Sequence, residues 1–318
     1  MERTNEQENA ADKAEKPDEN IENEESAAVN KATLDKATIK RKRWKIVLCS
    51  FAVLVAAVLL FLQIGVWYTQ YSWEHWTPDY EKINILPILE KTELTDEDYD
   101  TLYWQTGLTR LAIDDMRSEA GTQRILQIQN FLFKKQKVTS HRFNPFTYLE
   151  EIDGHAPMAF VRDGDIIVSA TTRVSWLRYG HAALIVDGAG GILVESIGPG
   201  VDSEFNSIDT FSNLANFLIV RPNLDDEKKQ EIVSYAKQNL LGIPYRFTIG
   251  IFYEKYNAKR IKRSQCAHLV WYAYKRFGLD LDSNGGAIVK PQDMVLSKHV
   301  EVVQAYGFDL EKPWGKAV

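Results

Sequence analysis

The apolar residues of this 318-residue chain form one long block near the N-terminus and then many short, spaced groups. The block covers residues 46–67 and contains only three positions that are polar or glycine. At about 1.5 Å per residue, a helix of this length spans a hydrocarbon core of roughly 30 Å. Aromatic residues flank the block at both ends, as they do at membrane interfaces. The pattern therefore predicts a transmembrane helix at residues 44–68.

Charge on the N-terminal side of the block predicts the orientation. The cluster KRKR at residues 40–43 directly precedes it, and such clusters stay in the cytoplasm. Residues 1–43 are otherwise rich in acidic residues and poor in apolar ones, so they predict a disordered cytoplasmic tail. A cleaved signal peptide is the alternative. Bulky Trp67 and Tyr68 disfavour it, because cleavage sites need small residues. We expect a single-pass membrane protein with everything after the block outside.

Residues 69–150 show the spacing of amphipathic helices. The segment TDED at residues 95–98 reads as a capping box, and Gly107 and Gly121 as helix ends. No catalytic motif stands out in this segment. It is predicted to be a helical extracytoplasmic segment with a packing or spacer role.

After Gly164 the pattern changes to short apolar strands followed by helices. Grouped strands followed by helices predict an α+β domain with an antiparallel sheet, here at residues 151–318. A helix capped by Asn223 is expected to end at Gly242, and a last helix is expected from Gln265 to Phe277. The predicted strands are residues 165–169, 181–186, 192–195 and 217–220.

Composition excludes several classes of protein. With 38 Lys and Arg against 44 Asp and Glu, the net charge of −6 disfavours nucleic-acid binding. An aromatic content of 11% supplies a core and excludes a wholly disordered chain. The two cysteines exclude a disulfide scaffold, and no His and Cys spacing suggests a metal site, so neither a metal nor a cofactor is expected.

Cys266 is the candidate nucleophile, because it is the only cysteine beyond the apolar block. It opens the last predicted helix, where the helix dipole and free N–H groups favour a thiolate. A basic run, defined as Lys255, Lys259, Arg260, Lys262 and Arg263, precedes it and is expected to favour the same form. The competing interpretation is a small buried core residue, as free cysteines often are.

A nucleophilic cysteine needs a base, and His181 is the candidate because it opens an apolar strand after a glycine. His268 lies two positions from Cys266, and such residues do not face each other on a helix. Glu195 ends the next strand, and a hairpin register pairing Val186 with Ile192 brings it onto the face of His181. A slip of one residue would place the two side chains on opposite faces.

Four short motifs follow one another in the chain: GDII at residues 164–167, GHAALIV at 180–186, VES at 194–196 and QCAHLVW at 265–271. Together they resemble the YiiX/YebB-like branch of the NlpC-type cysteine hydrolases. The resemblance implies a circularly permuted papain-like fold in which the histidine precedes the cysteine. It also implies Cys266 as nucleophile, His181 as base and Glu195 as the group that orients the imidazole. Tyr245 resembles a tyrosine that members place near the site, although a structural tyrosine fits equally well.

These features predict a membrane-anchored thiol hydrolase of amide bonds in the bacterial envelope, with cell-wall peptides as expected substrates. The resemblance also implies acyl transfer or lipid and small-molecule amide chemistry on the same residues. A catalytically silent binding module for an anionic envelope component is the alternative from another class, and the basic run suits it equally well.

Overall fold

The computed structural model describes residues 19–72, 75–142, 147–174 and 177–318. The chain divides into two compact units between residues 62 and 63. Helix α1 (Glu19–Ser72) makes up the described part of the first unit and extends into the second. Its segment Thr33–Tyr68 is long and apolar enough to cross a membrane.

The structure differs from the predicted disordered tail. Residues 1–18 lie outside the described residues, but residues 19–43 belong to α1. Residues 19–43 contain neither proline nor glycine, so nothing in the sequence ends the helix on this side of the apolar segment. The scarcity of apolar side chains argues against a packed core, not against a helix. The predicted boundary at residue 44 is therefore not a break in structure.

The second unit combines helices with two antiparallel sheets. The helices are α2 (Leu86–Leu89), α3 (Asp96–Thr106), α4 (Arg110–Asp115), α5 (Glu119–Leu132), α6 (Asp209–Ser212), α7 (Asp226–Asn239), α8 (Cys266–Arg276) and α9 (Pro291–Leu296), with a 3₁₀ turn at Pro313–Gly315. The strands are β1 (Val138–Arg142), β2 (Tyr148–Ile152), β3 (Ile166–Ser169), β4 (Thr172–Val174), β5 (Leu177–Arg178), β6 (His181–Asp187), β7 (Ile192–Glu195), β8 (Glu204–Ser207), β9 (Phe217–Pro222) and β10 (Val300–Tyr306).

The larger sheet has six strands in the order β10-β9-β3-β6-β7-β8, and the smaller has four in the order β1-β2-β4-β5. Every pairing between these strands is antiparallel. Helix α8 packs against β6 and β7, and α7 packs against β6 and α8. The α+β class predicted from the sequence is confirmed.

The helices before residue 132 are not a separate spacer. The N–H of Thr109 donates to the carbonyl of Val303 in β10, and the Tyr103 hydroxyl donates to the carbonyl of Leu310. The buried side chains of α3, α4 and α5 belong to the same hydrophobic core as the six-stranded sheet. The predicted domain boundary at residue 150 is therefore replaced by one compact unit, and β2 runs across that position. Amphipathic helices must bury their apolar face, and the edge of the sheet provides the surface.

Several helix ends can be compared with the sequence. The capping box of Thr95 and Asp98 is confirmed, and Gly107 ends α3 in the left-handed conformation. Gly121, predicted to end a helix, lies instead in the first turn of α5, where its N–H donates to the Ser118 hydroxyl. Asn223 is not a cap, because the side chain of Asp225 accepts from the N–H of Lys228 and starts α7 there.

The β6–β7 hairpin decides where His181 and Glu195 lie. Leu184 pairs with Val194, the register predicted from the sequence, and its continuation places Ala183 opposite Glu195. A bulge between Ile185 and Asp187 shifts the other end, so that Asp187 rather than Val186 pairs with Ile192. The bulge accommodates the extra residue near the turn and leaves the end that carries Glu195 in register.

Candidate active site

One cavity contains all four residues singled out from the sequence. Its volume is about 300 Å³, and Cys266, His181, Glu195 and Tyr245 line it. The walls come from both sheets and from the first residue of α8. Residues far apart in sequence therefore meet around a space large enough for a small acyl or amide group.

Cys266 occupies the first position of α8 and is 4% exposed. Gln265 is the N-cap, and its side-chain oxygen accepts from the N–H of Ala267 at 3.0 Å. The same oxygen accepts from the Cys266 thiol at 3.3 Å, while the Gln265 amide nitrogen donates to the carbonyl of Val289 at 2.6 Å. The thiol is thus held at the N-terminal end of α8 by the residue that caps the helix.

His181 enters the cavity because of the glycine before it. Gly180 has φ +73°, and a Cβ there would lie 2.4 Å from the carbonyl oxygen of Ser169, so no other residue fits this turn without distortion. The imidazole then stacks on Phe211, with ring centroids 5.4 Å apart. Its Nε2 lies 2.6 Å from Oε2 of Glu195. This contact leaves Nδ1 as the ring nitrogen for proton exchange with Cys266.

Glu195 is a buried carboxylate with two partners. Its side chain is 3% exposed, and besides His181 it accepts a hydrogen bond from the Asn206 amide at 2.7 Å. Burial raises the pKa of the Glu195 carboxyl, but the contacts with His181 and Asn206 outweigh it and lower the pKa below its usual value. The carboxylate therefore remains ionised at neutral pH.

The pKa of His181 shifts in the opposite direction, upward. Burial lowers its pKa, but contacts with Cys266 and Glu195 outweigh this effect and raise the pKa to about 10. An imidazolium held between a carboxylate and a thiol is the arrangement that supports a thiolate–imidazolium pair. The three side chains therefore form one electrostatic unit.

Tyr245 and Tyr179 form part of the same wall. Tyr245 is buried, and desolvation together with the neighbouring Cys266 and Tyr179 raises its pKa, so its hydroxyl stays protonated and able to donate. Tyr179 also lines the cavity, and its hydroxyl contacts that of Thr147 at 3.1 Å. Desolvation raises the pKa of Tyr179 too.

His268 is a packing residue that lies away from the cavity of Cys266. It is buried rather than at the surface, with Nδ1 2.8 Å from the Ser264 hydroxyl and Nε2 2.6 Å from the carbonyl of Lys255. Burial lowers its pKa to about 4. As predicted, it does not line the cavity of Cys266. His268 joins α8 to the preceding loop.

The basic run does not face the thiol, contrary to expectation. Its members are not among the residues that line the Cys266 cavity. Lys255 instead forms an ion pair with Asp282, and Arg263 lies over the ring of Tyr253. The loop between residues 246 and 264 carries these side chains past the site, so His181 is the cationic group beside Cys266.

Sequence reasoning did not identify Asn206, Phe211 or Tyr179. Asn206 lies in β8, whose polar sequence Glu204–Ser207 lacks the apolar alternation of a strand. Phe211 lies in the short helix α6, and only the fold brings it against His181. The sequence could have indicated Tyr179 as a site residue, because it directly precedes the Gly180–His181 motif.

The arrangement brings a thiol, an imidazole and a buried carboxylate into one cavity, the side-chain types that acyl chemistry on a thiol can use. Among the residues that the structure describes, no group of three or more His, Cys, Asp or Glu side chains is placed to hold a metal ion. No protein-family model, curated protein or solved structure matches this chain.

Proposed function

We propose that this protein is a thiol hydrolase of amide bonds that acts through an acyl-enzyme on Cys266. The observation that carries the proposal is the 2.6 Å contact of His181 Nε2 with Glu195 in the cavity that also contains Cys266. A histidine whose far nitrogen is fixed by a buried carboxylate has a defined tautomer and a favoured imidazolium form. Those are the properties that a base for thiol catalysis requires.

In the first half of the reaction, the Cys266 thiolate attacks the carbonyl carbon of the substrate. The backbone N–H of Cys266, at the start of α8, is the donor for the developing oxyanion. The neighbouring N–H of Ala267 is engaged by the Gln265 side chain. The hydroxyl of Tyr245, in the same cavity, supplies a second donor.

The imidazolium of His181 then transfers its Nδ1 proton to the leaving amine nitrogen, and the C–N bond breaks to give a thioester. In the second half, His181 takes a proton from water, which attacks the thioester carbonyl. The Cys266 thiolate leaves, and the imidazolium–thiolate pair is restored. Glu195 keeps its charge throughout and stabilises the imidazolium each time it forms. An acyl acceptor in place of water would make the same site an acyltransferase.

The order of the site residues supports a circularly permuted papain-like fold. His181 and Glu195 lie on strands that precede the cysteine helix in the chain, and α8 packs against the same strands. This is the order of the YiiX/YebB-like NlpC-type hydrolases that the sequence motifs resemble. Cell-wall peptides are the substrates we propose, because they present amide bonds outside the bacterial membrane. The lining is largely apolar but includes the polar side chains of Glu151 and Asn213, which suit a substrate that also carries hydrogen-bond donors.

We further propose that α1 anchors the protein in the membrane with the catalytic unit outside. The apolar part of Thr33–Tyr68 supplies the span, and the basic cluster at residues 40–43 marks the cytoplasmic end. Protease added to intact cells is expected to digest the unit after Tyr68 and to spare the N-terminal tail, detected with an antibody to each end. Recovery of a soluble protein that begins after Trp67 would instead identify a cleaved signal peptide.

The function is tested by the pH dependence of Cys266 alkylation. Glu195→Gln keeps the shape of the side chain but removes its charge, so the imidazolium becomes less stable and the thiolate forms only at higher pH. A hydrogen bond to a charged group contributes about 1.5–3 kcal/mol, so the acid limb of the rate profile should move upward by roughly one pH unit or more. The rates are measured with iodoacetamide, and the modified peptide is identified by mass spectrometry.

Two controls make this measurement decisive. Cys49→Ser removes the other cysteine of the chain, so all labelling then reports on Cys266. Circular dichroism establishes that each variant is folded. Superimposable profiles for wild type and Glu195→Gln would contradict the triad. A Cys266 that reacts no faster than an exposed free thiol at neutral pH would favour the silent binding module.

A further inference from the structure

An exposed apolar surface lies on the loop between Tyr245 and α8. Phe247, Ile251, Phe252 and Tyr253, which we call the apolar tip, are between 40% and 78% exposed. Phe252 is the most exposed of them, at 78%. Single exposed apolar residues are normal on proteins, but an exposed cluster within seven positions marks a surface that contacts another apolar phase.

A buried side chain and a tight turn fix the conformation of the apolar tip. Ile249 is 2% exposed and anchors the loop in the molecule. Gly250 has φ +87°, and a Cβ there would lie 1.7 Å from the carbonyl oxygen of Ala287, so the backbone is pressed against its neighbour. Its N–H donates to the carbonyl of Tyr253 at 2.9 Å. Ile251 and Phe252 are therefore presented outward by a fixed turn.

Positive charge surrounds the tip. Arg263 stacks on Tyr253, with its guanidinium carbon 4.1 Å from the ring centroid. A cavity of about 320 Å³ beside the tip is lined by Tyr253, and the cations Lys255, Arg260, Lys262 and Arg263 outnumber its one carboxylate, Glu254. Among the ion pairs of the described residues, none involves Arg260 or Lys262. Their charge is thus available to an anionic partner.

The tip also connects to the catalytic cavity. The Phe247 ring meets the ring of Tyr179 edge-on, with centroids 5.8 Å apart, and Tyr179 lines the cavity of Cys266. A surface on which the tip docks would therefore lie beside the opening that serves Cys266.

We propose that the apolar tip and the basic run dock on an anionic lipid bilayer. The aromatic and aliphatic side chains enter the interface, and the cations contact lipid phosphates, a combination typical of interfacial membrane contacts. The proposal is independent of the chemistry at Cys266. It relies on the anchor only to keep this unit near a membrane, since buried His75 follows soon after Tyr68 in the chain.

The charge of this surface distinguishes between two possible partners, an anionic bilayer and a second copy of the chain. A two-fold contact through this surface would place one basic run against another, and like charges repel. An anionic lipid surface complements the same charges. The bilayer is therefore the occupant that fits both the apolar and the cationic part of the surface.

The test uses the full-length chain in lipid nanodiscs. Cys49→Ser and Cys266→Ser remove the native thiols, and Phe252→Cys then carries a nitroxide whose collisions with oxygen and with a water-soluble nickel chelate report its depth. In discs with phosphatidylglycerol, the ratio of oxygen to nickel collisions should rise several-fold above that in purely zwitterionic discs. A matched label introduced by Lys237→Cys, at an exposed position of α7, should stay water-like in both.

A charge-reversal variant provides the second part of the test. The variant Lys259→Glu, Arg260→Glu and Lys262→Glu should abolish the dependence on anionic lipid at position 252. The proposal is overturned if the label at 252 matches the label at 237 in anionic discs. It is also overturned if the labels broaden one another, which identifies a second copy as the occupant. Because the assay lacks the Cys266 thiol, either result leaves the proposed hydrolase function untouched.

Discussion

Replacing His181 with alanine is expected to lower turnover of an activated ester such as p-nitrophenyl acetate by about 10²–10⁴-fold, the contribution of a positioned general base. His181 is the only side chain of the candidate triad that can move a proton between Cys266, the leaving group and water. Its loss affects both halves of the reaction, because deacylation needs the same base. The rate is followed by nitrophenolate release at neutral pH, with the acyl-enzyme monitored by mass spectrometry.

His268→Ala is the matched control for this experiment. Both histidines lie near Cys266 in the fold or in the sequence, but His268 bonds with Ser264 and the carbonyl of Lys255 rather than lining the cavity. The variant should keep most of the activity and lose about 1–3 kcal/mol of stability, because two buried polar groups lose their partner. If His268→Ala removed activity and His181→Ala did not, the assignment of the base would be wrong.

Glu150→Gln is expected to destabilise the fold by about 3–5 kcal/mol, the cost of removing one charge from a buried ion pair. The Glu150 carboxylate bonds with Arg173 and Arg178, and the side chains of Glu150 and Arg173 are 1% and 0% exposed. Glutamine keeps the shape but not the charge, so both guanidinium groups lose the Glu150 carboxylate as an ionic partner. Unfolding by guanidinium in detergent, followed by tryptophan fluorescence, measures the change in free energy of unfolding.

The neighbouring Glu151→Gln provides the comparison for stability. The Glu151 side chain is 26% exposed and lies 3.3 Å from His141, so loss of its charge should change stability far less. Equal effects of the two substitutions on the free energy of unfolding would show that the buried ion pairs of Glu150 do not stabilise this region. Arg178 directly precedes Tyr179 in the chain, so the ion pairs of Glu150 lie next to the wall of the Cys266 cavity.

The local part of the fold and the centre of the site could be predicted from the sequence. Strand β7 and the start of α8 follow from apolar runs and glycine boundaries, and the hairpin register brought Glu195 to His181 as expected. The predictions that failed concern features that depend on contacts between residues far apart in the sequence. The polar strand β8 forms because β7 offers it a partner, and its Asn206 then reaches Glu195. Nothing within residues 204–207 indicates that pairing.

The same limit applies to the helices before residue 132 and to the basic run. Amphipathic spacing identifies α3 and α5, but not that they pack on the core of the sheet rather than form a spacer. Proximity in sequence suggested that the basic run acts on Cys266. The turn held by Ile249 and Gly250 carries that run to another surface. In each case the missing information is the position of a surface contributed by residues far away in the chain.

Cys266 has no cysteine neighbour in the compact unit that contains it, since the other cysteine is Cys49 in α1. If an oxidant converts the thiol to a sulfenic acid, the unit has no second sulfur with which to trap that state as a disulfide. Recovery then requires a thiol from outside this unit, and further oxidation to the sulfinic acid is irreversible. The sequestration of Cys266, which is 4% exposed, is therefore its main protection against oxidative inactivation.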